Sequence, residues 1–196
     1  MAGAELIATP SPSMLCTSSD SILLAIDLQP RLAAAMREED WQQVSENSRR
    51  LLTAAKLLEI PVLLSEQYPK GLGNTDERIS QNIPQRAHCV EKTSFSCCQA
   101  DDYLTILKQS GRRQAVIVGM ESHVCVLQTA IELLQSQYSV FVVEDAICSR
   151  NTAHTQNALN RLRQSGAVIS NHESVLFEWL RDARHEHFKA ISALIR

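Results

Sequence analysis

The chain has 196 residues, 21% of them charged, and a formal net charge of -3. That length suits one domain whose core needs no disulfide support. The small acidic excess, with Arg49-Arg50 and Arg112-Arg113 reading as solvated helix faces, argues against a phosphate-backbone or other nucleic-acid binder.

Residues 1–19 read as a loose arm rich in Ser, Thr and Pro, and 20–196 as one domain. The first strand is Ile22 to Ile26, a continuous apolar run of the kind that a parallel strand covered on both faces requires. It ends at Asp27. Trp41, Val44, Ser48, Leu51, Leu52, Ala55 and Leu58 recur at helical spacing and predict a long amphipathic helix. Pro61 to Leu64 is the second strand, followed by a loop over Gln67 to Thr75 marked by Pro69, Gly71 and Gly73. A short third strand around His88 to Val90 leads to Lys92. A helix over 100–109 stops at Gly111.

The fourth strand is Ala115 to Val118, closed by Gly119. A helix over Val124 to Leu134, a fifth strand over Val140 to Val143, a helix over Ala153 to Gln164, a sixth strand over Ala167 to Ile169 and a helix over Ser174 to Leu180 complete the pattern. Alternating strands and helices predict an α/β fold, a parallel sheet covered by helices on both faces as a three-layer αβα sandwich. Ligands of such sheets bind beyond the carboxyl ends of the strands, so residues following the first, third and fourth strands can meet there.

No basic stretch leads an apolar one at the start of the chain, and every apolar run is far shorter than a membrane span. The expectation is a cytoplasmic protein with no membrane partner; association with mitochondria stays open. The cysteines at 16, 89, 97, 98, 125 and 148 match neither a zinc pattern nor a redox pair. Most should be small buried hydrophobes.

Three residues stand out. Asp27 closes an apolar strand, where a carboxylate is either a structural hydrogen-bond acceptor or a site residue. Lys92 is either an exposed lysine or a cation held near a carboxylate and a thiol. Cys125 follows Gly119 in Gly119-Met120-Glu121-Ser122-His123-Val124-Cys125. With Ser122 as N-cap, Cys125 falls in the first helical turn, where backbone donors and the helix field favour a thiolate. The alternative is an inert buried cysteine facing the sheet. Linked, the three make a nucleophile, a base and a charge-balancing cation.

The motifs Leu24-Ala25-Ile26-Asp27-Leu28-Gln29, Lys92-Thr93-Ser94-Phe95-Ser96 and Gly119 to Cys125, continuing through Val126 to Ala130, resemble those of the isochorismatase-like cysteine hydrolases over about residues 20–180. The resemblance implies a six-stranded parallel sheet in the order 3-2-1-4-5-6 and a catalytic set of Asp27, Lys92 and Cys125. It further implies a non-proline cis peptide at Met120–Glu121, with the amide nitrogens of Glu121 and Cys125 as oxyanion hole. Within the family, nicotinamidases carry a metal on an Asp-x-His stretch after the second strand. Here that stretch reads Leu64-Ser65-Glu66-Gln67-Tyr68-Pro69, so no metal and no cofactor are expected. Isochorismatases proper usually lack the nucleophilic cysteine, which Cys125 supplies here. The Glu66 to Gly73 segment is similar to that of the isochorismatase-domain-containing branch, which includes the mitochondria-associated ribonuclease-like members of trypanosomatids.

The implied activity is hydrolysis of a carbonyl C–N bond in a small amide or ureide. A binding or scaffold protein that has kept the fold is the alternative, and a nuclease a weaker one. Gln29, Gln67, Phe95, Met120 and Ser122 are expected to line the substrate site; Phe95 reads equally as core. A homo-oligomer, dimer or tetramer, is expected from the resemblance and from the C-terminal apolar stripe of Val175, Leu176, Trp179, Leu180, Phe188, Ile191 and Ile195.

Overall fold

The computed structural model describes residues 14–195. Six strands, β1 (Ser21–Ile26), β2 (Val62–Gln67), β3 (His88–Lys92), β4 (Gln114–Met120), β5 (Ser139–Cys148) and β6 (Val168–Ser170), form one sheet in the order β3-β2-β1-β4-β5-β6. All neighbouring pairs are parallel. The helices are α1 (Pro30–Ala33), α2 (Glu38–Leu57), α3 (Pro69–Leu72), α4 (Glu77–Ser80), α5 (Tyr103–Gln109), α6 (Leu127–Gln135), α7 (Thr152–Gln164), α8 (His172–Leu180) and α9 (Phe188–Ser192). This is the expected three-layer αβα sandwich.

Every residue of β1 and β4 is buried, as strands covered on both faces must be. One face packs against α2 and α8 through Leu23, Leu64, Val116, Phe141, Trp41 and Leu51. The other packs through Leu24, Leu63, Ile117, Val142, Tyr103 and Leu133, where α5, α6 and α7 lie. Glu38, Glu39 and Asp40 occupy the first turn of α2, where negative charge meets the positive end of the helix.

Several boundaries move. β3 extends to Lys92, so the lysine is its last residue and is buried rather than exposed at the surface. β5 runs on to Cys148 because the pairing with β4 shifts register between Ile117 and Gly119 and then resumes. The helix expected from Val124 begins as a single π-turn, Ser122–Val126, and becomes regular only at Leu127. The expected N-terminal arm falls mostly outside the described residues, but Cys16 is fully buried, its N–H donating to Glu178 Oε2 at 2.6 Å.

The C-terminal stripe is also placed differently from the expectation. Val175, Leu176, Trp179, Leu180 and Ile191 belong to the chain's own core, with Phe188 and Ile195 packed on it. Trp179 Nε1 donates to Ser21 Oγ at 3.0 Å. The stripe folds back and is not a surface kept for another subunit.

At Gly119 the strands come closer than a side chain allows. Its φ is +123°, and a Cβ there would lie 1.9 Å from Ile26 O. Ile26 and Gly119 are register partners. Glycine is therefore what lets the end of β1, with Asp27 next, lie beside the turn that carries Cys125.

Candidate active site

The site is assembled from the carboxyl ends of β1, β2, β3 and β4. Asp27 follows β1 with a left-handed φ of 51°, and its N–H donates to Ser65 O at 3.1 Å. Its carboxylate is fully buried and doubly held. Ser65 Oγ donates to Oδ1 at 2.7 Å, and Lys92 Nζ donates to Oδ2 at 2.7 Å. The structural reading of Asp27 as a buried hydrogen-bond acceptor is met by both of its oxygens.

Lys92 Nζ has further acceptors in Gln67 Oε1 at 2.6 Å, Phe95 O at 3.2 Å and Ser94 O at 3.3 Å. Burial is the largest single influence and would lower this lysine, but the facing Asp27 carboxylate, Cys97 and Cys125 together hold Lys92 above its ordinary value. Lys92 is a fixed ammonium with its donors committed to the frame of the site.

β2 supplies two residues to this face. Ser65 and Gln67 alternate with Glu66, which points the other way. Gln67 Oε1, already bound by Lys92, is also the polar atom next to Cys125 Sγ, at 4.0 Å. Gln67 Nε2 donates to Thr93 O at 2.8 Å. On the opposite side Glu66 accepts from Thr75 N, Thr75 Oγ1 and Asn74 Nδ2 at 2.6, 2.7 and 2.9 Å. That ties the 68–76 segment to the strand, with help from Gln29.

Cys125 lies in the π-turn, buried, with Asp27, Lys92 and Gln67 around it. Burial is the largest influence on its thiol and pushes it up. The Asp27 carboxylate raises it further, and Lys92 offsets only part. The expected thiolate is therefore corrected. Desolvation and a neighbouring carboxylate both favour the neutral form, so Cys125 rests as a thiol.

Ser122 is likewise not the N-cap. Glu121 occupies that position, and its carbonyl accepts from Val124 N at 3.0 Å and, across the π-turn, from Val126 N at 3.3 Å. Ser122 is fully buried and its hydroxyl has no hydrogen-bond partner among the described residues. The Met120–Glu121 peptide is cis. The Glu121 carboxylate accepts from Arg150 N at 3.1 Å and Arg150 Nε at 3.0 Å, which ties the turn to the residue pair that follows β5.

The other expected lining residues divide. Met120 is fully buried at the end of β4. Gln29 is fully buried with both ends of its amide engaged, so it supports the site from behind. Phe95 contributes its carbonyl to Lys92 while 56% of the residue is exposed, so it is not core. Tyr68, Pro69 and Lys70 face Lys92, Ser94 and Asp101 across a cavity of about 510 Å³ beside the end of β3. A larger cavity, about 640 Å³, lies at the amino ends of the strands around Ile60, Pro61 and His88, remote from this chemistry.

Two members of the cluster were not anticipated. Ser65 sits against Asp27, and Cys97 sits behind Ser65, its Sγ 3.3 Å from Ser65 Oγ. The available signal was a polar residue ending the buried run Val62-Leu63-Leu64, opposite Ile26 in register.

The isochorismatase domain profile matches residues 21–174. Isochorismatase family protein 1B of Dictyostelium discoideum is 37% identical over 175 residues, 87% of this chain and 84% of that protein. Isochorismatase domain-containing protein 2A of Mus musculus is 37% identical over 180 residues, 90% and 82% of the two chains. Among solved structures, the MAR1 ribonuclease from Caenorhabditis elegans has a TM-score of 0.86 at 33% identity, covering 92% of each chain. YcaC from Pseudomonas aeruginosa, solved with hexane-2,5-diol and covalent acrylamide, has a TM-score of 0.86 at 26% identity over 92% of this chain and 91% of that one.

Proposed function

We propose that this chain, which belongs to the isochorismatase domain family, hydrolyses a carbonyl C–N bond of a small amide or ureide with Cys125 as nucleophile. The observation that carries the reading is the buried cluster in which Asp27, paired with Lys92, lies beside the Cys125 thiol.

In this mechanism the Asp27 carboxylate takes the thiol proton as Sγ attacks the carbonyl carbon. The carbonyl π pair moves onto oxygen, which the amide N–H groups of Glu121 and Cys125 receive. Collapse breaks the C–N bond, and Asp27 returns its proton to the departing nitrogen. Water then attacks the thioester, Asp27 takes a proton from it, and the acid leaves as that proton returns to Sγ. Lys92 keeps its proton throughout and balances the charge on Asp27. Gln67 and Gln29 hold the frame.

The covalent acrylamide of the YcaC structure supports a reactive nucleophile and a small amide ligand in this fold. The name of the Caenorhabditis elegans relative motivates a second reading, cleavage of RNA. The net charge of -3 weighs against it. We further propose that the chain acts as a homo-oligomer in the cytoplasm, through a surface other than its C-terminal stripe.

The test is a panel of small amides and ureides, with intact-mass detection of an acyl adduct. The expected result is an adduct on the wild type, mapped to Cys125 and absent in Cys125→Ala. Turnover that survives Cys125→Ala, or RNA cleavage that depends on Cys125 while no amide reacts, overturns the reading.

A further inference from the structure

Asp27 has one carboxylate and three groups that compete for it. Lys92 Nζ takes Oδ2 and Ser65 Oγ takes Oδ1, each at 2.7 Å. The third is the Cys125 thiol. A hydroxyl has a single hydrogen to give. With a carboxylate oxygen at 2.7 Å, the Ser65 hydrogen is spent on Asp27, and Ser65 Oγ is left as an acceptor. The neighbour that can donate to it is the Cys97 thiol, 3.3 Å away.

Cys97 is itself fixed from outside the site. It opens a 3₁₀ turn, Cys97–Gln99, and its N–H donates to Thr129 Oγ1 at 2.9 Å on α6. It is fully buried. The direction of donation therefore runs from Cys97 through Ser65 to Asp27. The first bond of this relay requires Cys97 to keep its proton. Burial, with Asp27 second, pushes this thiol up to about 11.

We propose that Ser65 is a positioning residue of the reaction. It holds the Asp27 carboxylate from the side opposite Lys92 so that a free lone pair faces Cys125, with Cys97 behind it as a permanent neutral donor and not a second nucleophile. The inference rests on the reading of Cys125 as nucleophile and Asp27 as its base. It distinguishes two buried thiols near one carboxylate by the polarity of their hydrogen bonds: Cys125 gives its proton to the base, while Cys97 gives its hydrogen bond to the base's support.

The charged and titratable groups facing Asp27 are Lys92 from β3, Cys97 and Cys125, with Cys89 and Tyr103 also within its field. Of these, Cys97 is hydrogen-bonded to Ser65, so Ser65→Ala also removes its acceptor, and Cys97→Ala serves as the control for that loss. A hydrogen bond given only to the charged form of a carboxylate favours that form, so removing it leaves Asp27 less well held as the acceptor of the Cys125 proton.

The experiment follows carbamidomethylation of Cys125 by iodoacetamide as a function of pH, with peptide mapping of every cysteine. In the wild type the Cys125 rate should show an acid limb that belongs to the coupled thiol and carboxylate, and Cys97 should stay unlabelled. In Ser65→Ala the limb should move up by about one pH unit, the size expected for one charge-assisted hydrogen bond. Ser65→Cys, close in size with a weaker donor, should move it the same way by less. Cys97→Ala, which leaves the Ser65 to Asp27 bond in place, should move it least. A purely structural role would lower the rate at all pH values and leave the limb where it was. An unmoved limb in both Ser65 variants, each with a cooperative thermal transition, overturns the inference and leaves the nucleophile standing. So does labelling of native Cys97 at a rate comparable to Cys125. A wild type with no acid limb removes the nucleophile reading and this inference together.

Discussion

Gln29 pairs with the backbone of Gln67 as a neighbouring strand would: its Oε1 accepts from Gln67 N at 2.7 Å and its Nε2 donates to Gln67 O at 3.0 Å. Gln29 Nε2 also reaches Gly73 O. One side chain thereby closes the end of β2 and fastens the following loop to it. Gln29→Ala takes the side-chain partner from a part-buried N–H and carbonyl, and a group left unsatisfied costs up to about 1–3 kcal/mol. We expect a loss of roughly 2–4 kcal/mol in urea denaturation. Gln29→Glu keeps the acceptor and loses the donors. It should keep more stability than Gln29→Ala and still slow Cys125 labelling, because Gln67 would no longer be held. Wild-type stability in Gln29→Ala would show that the pairing carries nothing.

The Lys92–Asp27 pair is fully buried at 2.7 Å. Lys92→Met strands an unpaired carboxylate, and breaking a buried pair on one side costs about 3–5 kcal/mol. The double variant Asp27→Asn, Lys92→Met removes both charges and should recover most of that stability while abolishing acyl-adduct formation. Equilibrium denaturation of the two variants side by side is the check. A double variant less stable than Lys92→Met alone would mean that the pair contributes through packing and not through charge.

Stability should fall on the alkaline side. Burial pushes Cys97 up to about 11 and Cys98 and Cys148 up to about 12, and raises Cys16 and Cys125 as well. An unfolded thiol ionises near pH 8.5. Between that value and the folded one the native state holds more protons, so stability is complete below about pH 8.5 and declines as pH rises through the folded values. Lys92, also raised in the folded state, adds a loss of the same sign at higher pH. Urea midpoints measured under reducing conditions should be flat across pH 7–8 and decrease steadily above pH 9. A midpoint independent of pH up to 10.5 would contradict this.

Gly119→Ala is the sharpest test of how the site is assembled. Its Cβ would meet the Ile26 carbonyl at 1.9 Å, on backbone with φ +123°. The strands must separate where Asp27 and the Cys125 turn adjoin. We expect a loss exceeding about 3 kcal/mol, together with loss of selective Cys125 labelling in whatever protein remains folded. An alanine variant with normal stability and labelling would show that the close approach is dispensable.

The alternation of apolar runs and helical periodicity is enough to read the layers of this fold from sequence, because strands buried on both faces and helices buried on one leave different periods. Asp27, Lys92 and Cys125 are legible for the same reason: each interrupts or follows an apolar strand. What stays illegible depends on partners far along the chain. That Ser122 is not a cap follows from the register of the π-turn, and no local pattern encodes that register. That Gln29 props β2 while Phe95 turns its ring outward depends on side-chain direction at loop residues. Val175, Leu176 and Trp179 form the same stripe whether they cover their own sheet or a neighbour. Only the position of α8 against Ser21 and the core distinguishes the two.

The end of β2 carries its polar residues in strict alternation: Ser65 and Gln67 toward Asp27 and Lys92, Glu66 toward the loop. That arrangement makes the strand self-checking. A slip of one residue during folding would reverse every side chain of β2 between the two faces. It would set the Glu66 carboxylate against that of Asp27, and it would deprive Asn74 and Thr75 of their acceptor. Two like charges buried side by side would make the slipped pairing costly before any apolar contact was lost. The residues that hold the Asp27 carboxylate and Lys92 therefore also act as proofreaders of strand alignment. A charge-removing change such as Glu66→Gln should relax alignment as well as loosen the loop.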